Sequence, residues 1–198
     1  MDNTKIYAIL KKSLHIQIAT DSDGGQWVGN NSVFYNVDGL PPLNAQNILP
    51  LIGVDIDTKA KYTVEERDLP HANDIMPGAS EGDGLVELTD LILQGEAIMR
   101  GVSQNAPPCV FINASFLKPF ISDDEISYIT RKANNDAGYI ILVKRGLITI
   151  AVIAPICHNK KSPWTDKLID DLSNIISTIK QQQADDDDNE QMTIAVVD

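Results

Sequence analysis

The sequence predicts an α+β fold: an antiparallel sheet carrying two short, pseudo-repeated helices on one face, followed by a C-terminal amphipathic helix. Three observations predict this class. Short apolar segments with the alternation of strands recur along the first 156 residues, between turns rich in Gly, Asp and Asn. Two short helical patterns, at 44–52 and 113–121, share residues in the same order. An apolar stripe at helical spacing follows Pro163.

The first part of the chain is predicted to begin with a hairpin. Residues 6–10 and 14–18 alternate like strands, with a turn at Lys11, Lys12 and Ser13 between them. The turn residues 21–25 separate this hairpin from Trp27 and Val28 and from a strand at 33–37. A helix of about two turns at 44–52 and a strand at 60–64 follow.

The second part of the chain begins after a linker predicted at 70–84, a stretch rich in Pro, Gly, Asp and Asn. Beyond it, a helix is expected at 113–121. The predicted strands are 85–93, 97–102, 126–131, 139–144 and 147–154, and residues 106–108 break the pattern before the apolar run 109–112. Residues 1–161 are therefore assigned to one domain, with pseudo-repeats at about 27–70 and 97–156.

The last 37 residues have a different character. Ser162 caps a helix predicted at 162–183, with Pro163 at its first position. Its apolar stripe is expected to pack on the sheet of the same domain or on a partner. Its members are Trp164, Leu168, Leu172, Ile175, Ile176 and Ile179.

The acidic tail, 184–198, contains Asp185 to Asp188 and ends in a strand-like apolar segment. That segment could join a sheet of its own domain, bind a partner or stay disordered. Met192, Ile194 and Val196 are its candidate partner-binding residues.

Composition indicates a packed globular protein, because 43% of the 198 residues are hydrophobic and 22% are charged. The net charge of −12 is opposite in sign to that of a nucleic-acid coat protein, so any DNA contact must use a local patch. The N-terminus has no basic and apolar leader, and no apolar run reaches the roughly 18 residues of a membrane span. A cytoplasmic protein without membrane contact is expected.

Motifs for catalysis, metals and cofactors are missing from the sequence, so a non-enzymatic protein without a cofactor is predicted. Cys109 and Cys157 are interpreted as free thiols, since two distant cysteines form neither a disulfide framework nor a zinc site. His158 follows Cys157 directly, and adjacent residues of an extended chain point to opposite faces. The turn at 21–25 lacks the remaining ligands of an EF-hand loop.

An internal repeat is suggested by aligning 43–52 with 112–121 without a gap. Asn, Ala, Pro and Ile coincide in the two segments. The match reflects either duplication or chance, since Asn and Pro are common at helix boundaries. Duplication predicts a pseudo-twofold domain with both helices on one face of the sheet.

The second half, with its Asn113-Ala114 helix start and the final strand running into Pro155, resembles the half-domain of DNA sliding clamps. The likeness is to the bacterial polymerase III beta-subunit type and its shorter phage relatives, and 27–41 is similar to the opening half of such phage proteins. It spans roughly residues 5–156. A full clamp chain carries two or three such domains, whereas this one has room for one.

The resemblance implies that the two helices face DNA and contact its phosphates without sequence preference. Gln46 and Asn47 on the first helix and Ser115 and Lys118 on the second are the candidates. Residues 118–161 also have seven basic against four acidic residues, which indicates a local basic patch or ordinary solvated hairpin tips. The candidate nucleic-acid-binding residues there are Arg131, Lys132, Lys144 and Arg145.

The function expected from these observations is that of a sliding-clamp-like accessory protein of replication or of a phage or mobile element. It would act through a protein partner and through DNA contact. Since one such domain cannot encircle a duplex, DNA encirclement predicts a homo-oligomer. The alternative is an acidic regulatory or inhibitor protein that binds a protein partner through its C-terminal helix and tail.

Overall fold

The structure is a computed structural model that describes residues 1–156, except 22, 38, 70–80, 94 and 134–137, together with residue 174. The chain divides into two units, Met1–Ile156 and Cys157–Asp198. The helix predicted at 162–183 and the tail with Met192, Ile194 and Val196 lie outside the described residues, apart from Asn174, which is helical. Most of the linker predicted at 70–84 also lies outside them.

The chain begins with a helix, α1 (Asn3–Ser13), so the strand predicted at 6–10 is wrong. Asp2 caps the helix, because its Oδ1 accepts hydrogen bonds from the backbone N–H groups of Thr4 at 2.9 Å and Lys5 at 3.4 Å. Ile6 and Leu10, one turn apart, are fully buried. The apolar run 6–10 fits both a strand and a buried helix, and burial of an i, i+4 pair together with the cap favours the helix.

The remaining elements follow in chain order. Within the described residues, the short helix α2 spans Ile48–Leu51, and the 3₁₀ helices η1 and η2 span Ile56–Lys61 and Ala114–Phe120. The strands are β1 (His15–Thr20), β2 (Gln26–Gly29), β3 (Val33–Asn36), β4 (Thr63–Asp68), β5 (Gly84–Leu93), β6 (Glu96–Gly101), β7 (Cys109–Asn113), β8 (Ile126–Lys132), β9 (Tyr139–Arg145) and β10 (Ile148–Ile153).

All ten strands form one mixed sheet, in the order β4-β1-β2-β3-β10-β9-β8-β5-β6-β7. The α+β class is therefore confirmed, but the prediction of an antiparallel sheet is wrong at one edge, where β4 lies parallel to β1. A parallel neighbour requires a crossover connection, and the chain from β3 to β4, with α2 and η1, supplies it.

The centre of the sheet has a twofold pattern. Strands β3 and β10 pair antiparallel, with Phe34 opposite Val152. Each strand of this pair is the last strand of a three-stranded meander: β3 ends the meander β1-β2-β3, and β10 ends the meander β8-β9-β10. The helical segment α1 directly precedes the first meander, and η2 directly precedes the second. The structure thus makes α1, and not α2, the topological counterpart of η2. The segment aligned with η2 in the sequence follows its meander instead of preceding it.

The two faces of the sheet contribute to two apolar clusters. One contains Ile141 and Val143 of β9 with residues of α1, α2 and η2, so the three helical segments share one face. The other contains Ile140 and Leu142 with Trp27, Phe34 and Val152. Alternation along a strand therefore decides which face each side chain reaches. Within the described residues, none of the helices has the length and apolar character needed to cross a membrane.

Candidate anion-binding groove

Helix α1 and the 3₁₀ helix η2 pack side by side and form a groove between them, the α1/η2 groove. The backbone N–H of Asp2 donates to the Pro119 carbonyl at 3.0 Å, which fixes the start of α1 to the end of η2. The hydroxyl of Tyr35, a fully buried residue of β3, donates to the Phe116 carbonyl at 3.1 Å. The Tyr35 ring also lies 5.9 Å from the ring of Phe120, so η2 is held against the sheet at both backbone and side chain.

Three lysines line the α1/η2 groove, and they come from both helical segments: Lys5 and Lys12 from α1 and Lys118 from η2. The ammonium of Lys5 lies 3.7 Å from the Asp2 carboxylate, and an exposed ion pair of this kind contributes little to stability. Among the described residues, Lys12 and Lys118 have no acidic partner within 4.0 Å. No Asp or Glu from the described part of the chain belongs to the lining.

Two asparagines add neutral donors to the lining. Asn113 caps η2, and its Oδ1 accepts from the backbone N–H of Ser115 at 2.9 Å and from the Ser115 hydroxyl at 2.7 Å. The Oδ1 of Asn30 accepts from the backbone N–H groups of Ser32 at 2.8 Å and Val33 at 3.1 Å. Both oxygens are therefore occupied, and among the described residues no protein acceptor binds the two amide NH₂ groups.

The chemistry of the α1/η2 groove is that of an anion site. It presents three ammonium groups and two amide donors, and its cavity of about 370 Å³ is open to solvent. Charge-assisted hydrogen bonds to phosphate or carboxylate oxygens suit such a lining. Its walls are partly apolar, formed by Ala8, Ile9 and Phe116.

Of the predicted site residues that the structure describes, only Ser115 and Lys118 line the α1/η2 groove. Gln46 and Asn47 are exposed in the turn before α2 and do not line it. Asn47 stabilises its own loop, since its amide donates to the Pro42 carbonyl at 2.8 Å and its Oδ1 accepts from the Asn44 backbone at 2.8 Å.

The predicted basic patch is divided between the two faces of the sheet. Arg131 and Lys144 are buried on the face opposite the helices. The Arg131 guanidinium makes a bidentate pair with Asp83, with Nε to Oδ1 at 2.6 Å and Nη2 to Oδ2 at 2.7 Å. Arg145 pairs with Asp123, and Lys132 is exposed at the end of β8. None of the four lines the α1/η2 groove.

Lys5 and Lys12 were missed because the first residues were interpreted as a hairpin, and Asn30 was missed because it lies between two strands without a motif of its own. The signal for a helix was present in the sequence: Asp2 in the capping position and Lys11 and Lys12 in the last turn, where cations favour the helix dipole. Lys11 does not line the groove, and its ammonium donates to the Gly53 carbonyl at 2.5 Å.

Other candidate chemistry is sparse in the described part of the chain, where no group of three His, Cys, Asp or Glu side chains could hold a metal ion. Asp21 is occupied within its turn, accepting from the Trp27 indole at 2.8 Å and from the backbone N–H of Gly25 at 2.7 Å. Burial raises the pKa of the Cys109 thiol to about 11, which disfavours the reactive thiolate. Cys157 and His158 lie outside the described residues.

Comparisons of the chain with protein-family models, with curated proteins and with solved structures return no match.

Proposed function

We propose that this chain is a non-enzymatic accessory protein of replication or of a mobile element, similar in design to a DNA sliding clamp, which contacts the nucleic-acid backbone through the α1/η2 groove. The observation that carries the proposal is the collection of Lys5, Lys12 and Lys118 in one groove between topologically equivalent helical segments. The twofold pattern of the sheet supports the proposal, although the equivalent helical segments are α1 and η2 and not the two that align in the sequence.

The lining supports backbone contact rather than base recognition. Ammonium groups and amide donors match phosphate oxygens, which carry no sequence information. The one aromatic side chain that lines the groove, Phe116, is buried at 9% exposure and so provides no stacking platform for unpaired bases. Duplex nucleic acid of arbitrary sequence is therefore the expected ligand.

The test is fluorescence anisotropy with a labelled duplex of mixed sequence at several salt concentrations. Neutralisation of three phosphates predicts a slope of about −2.7 in log K against log salt, which makes binding about 40-fold weaker at about 200 mM than at about 50 mM. The variant Lys12→Glu/Lys118→Glu should have a slope of about −0.9 or show no binding.

The matched control is Lys132→Glu, which reverses an exposed lysine outside the α1/η2 groove. It should retain the slope of the unmodified chain. The proposal fails if the unmodified chain does not bind duplex at low salt, or if Lys132→Glu weakens binding as much as the double variant does.

A further inference from the structure

The turn between β9 and β10 exposes large apolar side chains. Leu147 is 81% exposed and Ile148 is 66% exposed, and Ile148 lies opposite Arg145 in the sheet. Arg145 pairs with Asp123, which brings the loop 121–125 and its 72% exposed Ile121 to the same end of the sheet. We call Leu147, Ile148 and Ile121 the hairpin tip.

Acidic side chains accompany the hairpin tip. Asp123 is neutralised by Arg145, whereas Asp124 and Glu125 are exposed and have no cationic partner among the described residues. The N-terminal ammonium of Met1 also lies 3.6 Å from Asp123, so the tip is an exposed apolar surface with an excess negative charge of about one. A surface that binds it should be concave and partly apolar, with positive charge at its margin.

The α1/η2 groove has these properties. Its cavity of about 370 Å³ is more than twice the ~150 Å³ that accommodates benzene in an engineered protein cavity, and Ala8, Ile9 and Phe116 provide apolar walls. Lys12 and Lys118 provide two positive charges without acidic partners in the described part of the chain. The charge and polarity of the groove are therefore complementary to those of the hairpin tip.

The hairpin tip that enters this groove must belong to another molecule. Leu147 lies in a turn whose two strands are held on both sides, β9 by β8 and β10 by β3. The exposure of Leu147 shows that it does not occupy the groove of its own chain. We propose that the chain self-associates head to tail, with the hairpin tip of one copy seated in the α1/η2 groove of a second copy.

This contact goes beyond the proposed function, because it covers the surface that would face nucleic acid. It is heterologous: each copy uses its tip for one neighbour and its groove for another. Open chains of copies form as concentration rises, and duplex that occupies the groove should dissolve them. Because the contact consists of one hairpin tip in one groove, we expect it to be smaller than a standard interface, with a dissociation constant between about 10 µM and about 1 mM.

Sedimentation velocity of the full chain over this concentration range provides the test. The unmodified chain should sediment faster as concentration rises. Leu147→Ser/Ile148→Ser, which removes the tip, and Lys12→Glu/Lys118→Glu, which reverses the groove, should each remain monomeric. An equimolar mixture of these two variants should form a 1:1 dimer and nothing longer, since it offers one intact groove and one intact tip.

The control is Ile92→Ser, which alters an apolar residue as exposed as Ile148, at 65%, on a different hairpin. It should self-associate like the unmodified chain. The inference is overturned if the unmodified chain is monomeric at about 1 mM, if the tip variant still associates, or if the mixture stays monomeric. Fluorescence anisotropy with duplex distinguishes the two proposals. If the tip variant binds duplex normally and the unmodified chain is monomeric, self-association is refuted and the proposed duplex binding is not.

Discussion

Replacing Arg131 with alanine separates a structural arginine from a phosphate ligand. Arg131 and Asp83 have side chains only 9% and 10% exposed, and they form a bidentate pair between β8 and the start of β5. Removing one partner of a buried pair costs about 3–5 kcal/mol, because the other charge remains buried without compensation. Asp83 has further contacts, so the lower end, about 3 kcal/mol, is expected for Arg131→Ala.

Urea denaturation followed by circular dichroism measures this cost. The double variant Asp83→Leu/Arg131→Met, which replaces both charges by apolar side chains, should lose less stability than Arg131→Ala, since neither charge of this pair is left without the other. The salt slope of duplex binding should be the same in the folded Arg131→Ala variant as in the unmodified chain. A loss below about 1 kcal/mol together with a slope reduced by about 0.9 would refute this reasoning and make Arg131 a phosphate ligand.

Three further predictions concern stability. Tyr35→Phe should lower the free energy of unfolding by about 1–2 kcal/mol in urea, because the Phe116 carbonyl loses its buried donor. Gly29→Ala should cost at least about 1–3 kcal/mol by thermal denaturation, since its Cβ would overlap the backbone of β3, whereas Gly82→Ala, which meets open space, should change little. The hydrogen bond from the paired arginine lowers the pKa of Asp123 below its ordinary 3.8, so its stabilisation is complete above that value and is lost as pH falls below it. In a pH series of melting temperatures, Asp123→Asn should remove the part of the stability loss at low pH that comes from protonation of Asp123. An unchanged pH profile would contradict this prediction.

The strands of the second half could be predicted because their signals agree. Strands β9 and β10 are rich in apolar residues, β8 has apolar residues at Ile126, Tyr128 and Ile129, and Gly138 and Gly146, both with positive φ, mark the turns between the strands. The signals at the start of the chain did not agree in this way, because the five consecutive apolar residues 6–10 fit the periodicity of a strand and that of a helix equally well. The parallel position of β4 depends on where a crossover returns, and local periodicity carries no information about that.

The candidate site was harder to predict than the strands, because the net charge of a sequence segment does not show on which face of the sheet each charged side chain lies. Arg131 and Lys144 point to one face of the sheet, while Arg145 pairs with Asp123 at the hairpin end. An excess of basic residues between 118 and 161 therefore forms no continuous patch among the described residues. The α1/η2 groove instead combines Lys118 with lysines more than a hundred residues earlier, and only the tertiary fold brings them together.

Deleting residues 184–198 tests how an acidic chain could bind a polyanion at all. The tail carries −6 of the net −12, whereas the lysines of the groove come from α1 and η2. At a separation of one Debye length, about 30 Å at 0.01 M salt, six charges repel three phosphates by about 1 kcal/mol, which corresponds to about fivefold in affinity. Deletion should therefore strengthen duplex binding about fivefold at that salt and leave it unchanged at about 0.15 M, where the Debye length is about 8 Å.

The same deletion also separates the proposed function from the regulatory alternative. A clamp-like protein should keep its salt-dependent duplex binding without the tail, because the ammonium groups that carry it come from α1 and η2. If deletion of the tail strengthened duplex binding at about 0.15 M salt as well, the effect would not be a long-range electrostatic one, because salt would have screened such a repulsion. Loss of binding on deletion would place the essential contacts in the tail, and the lysines of the groove would then have no part in the function.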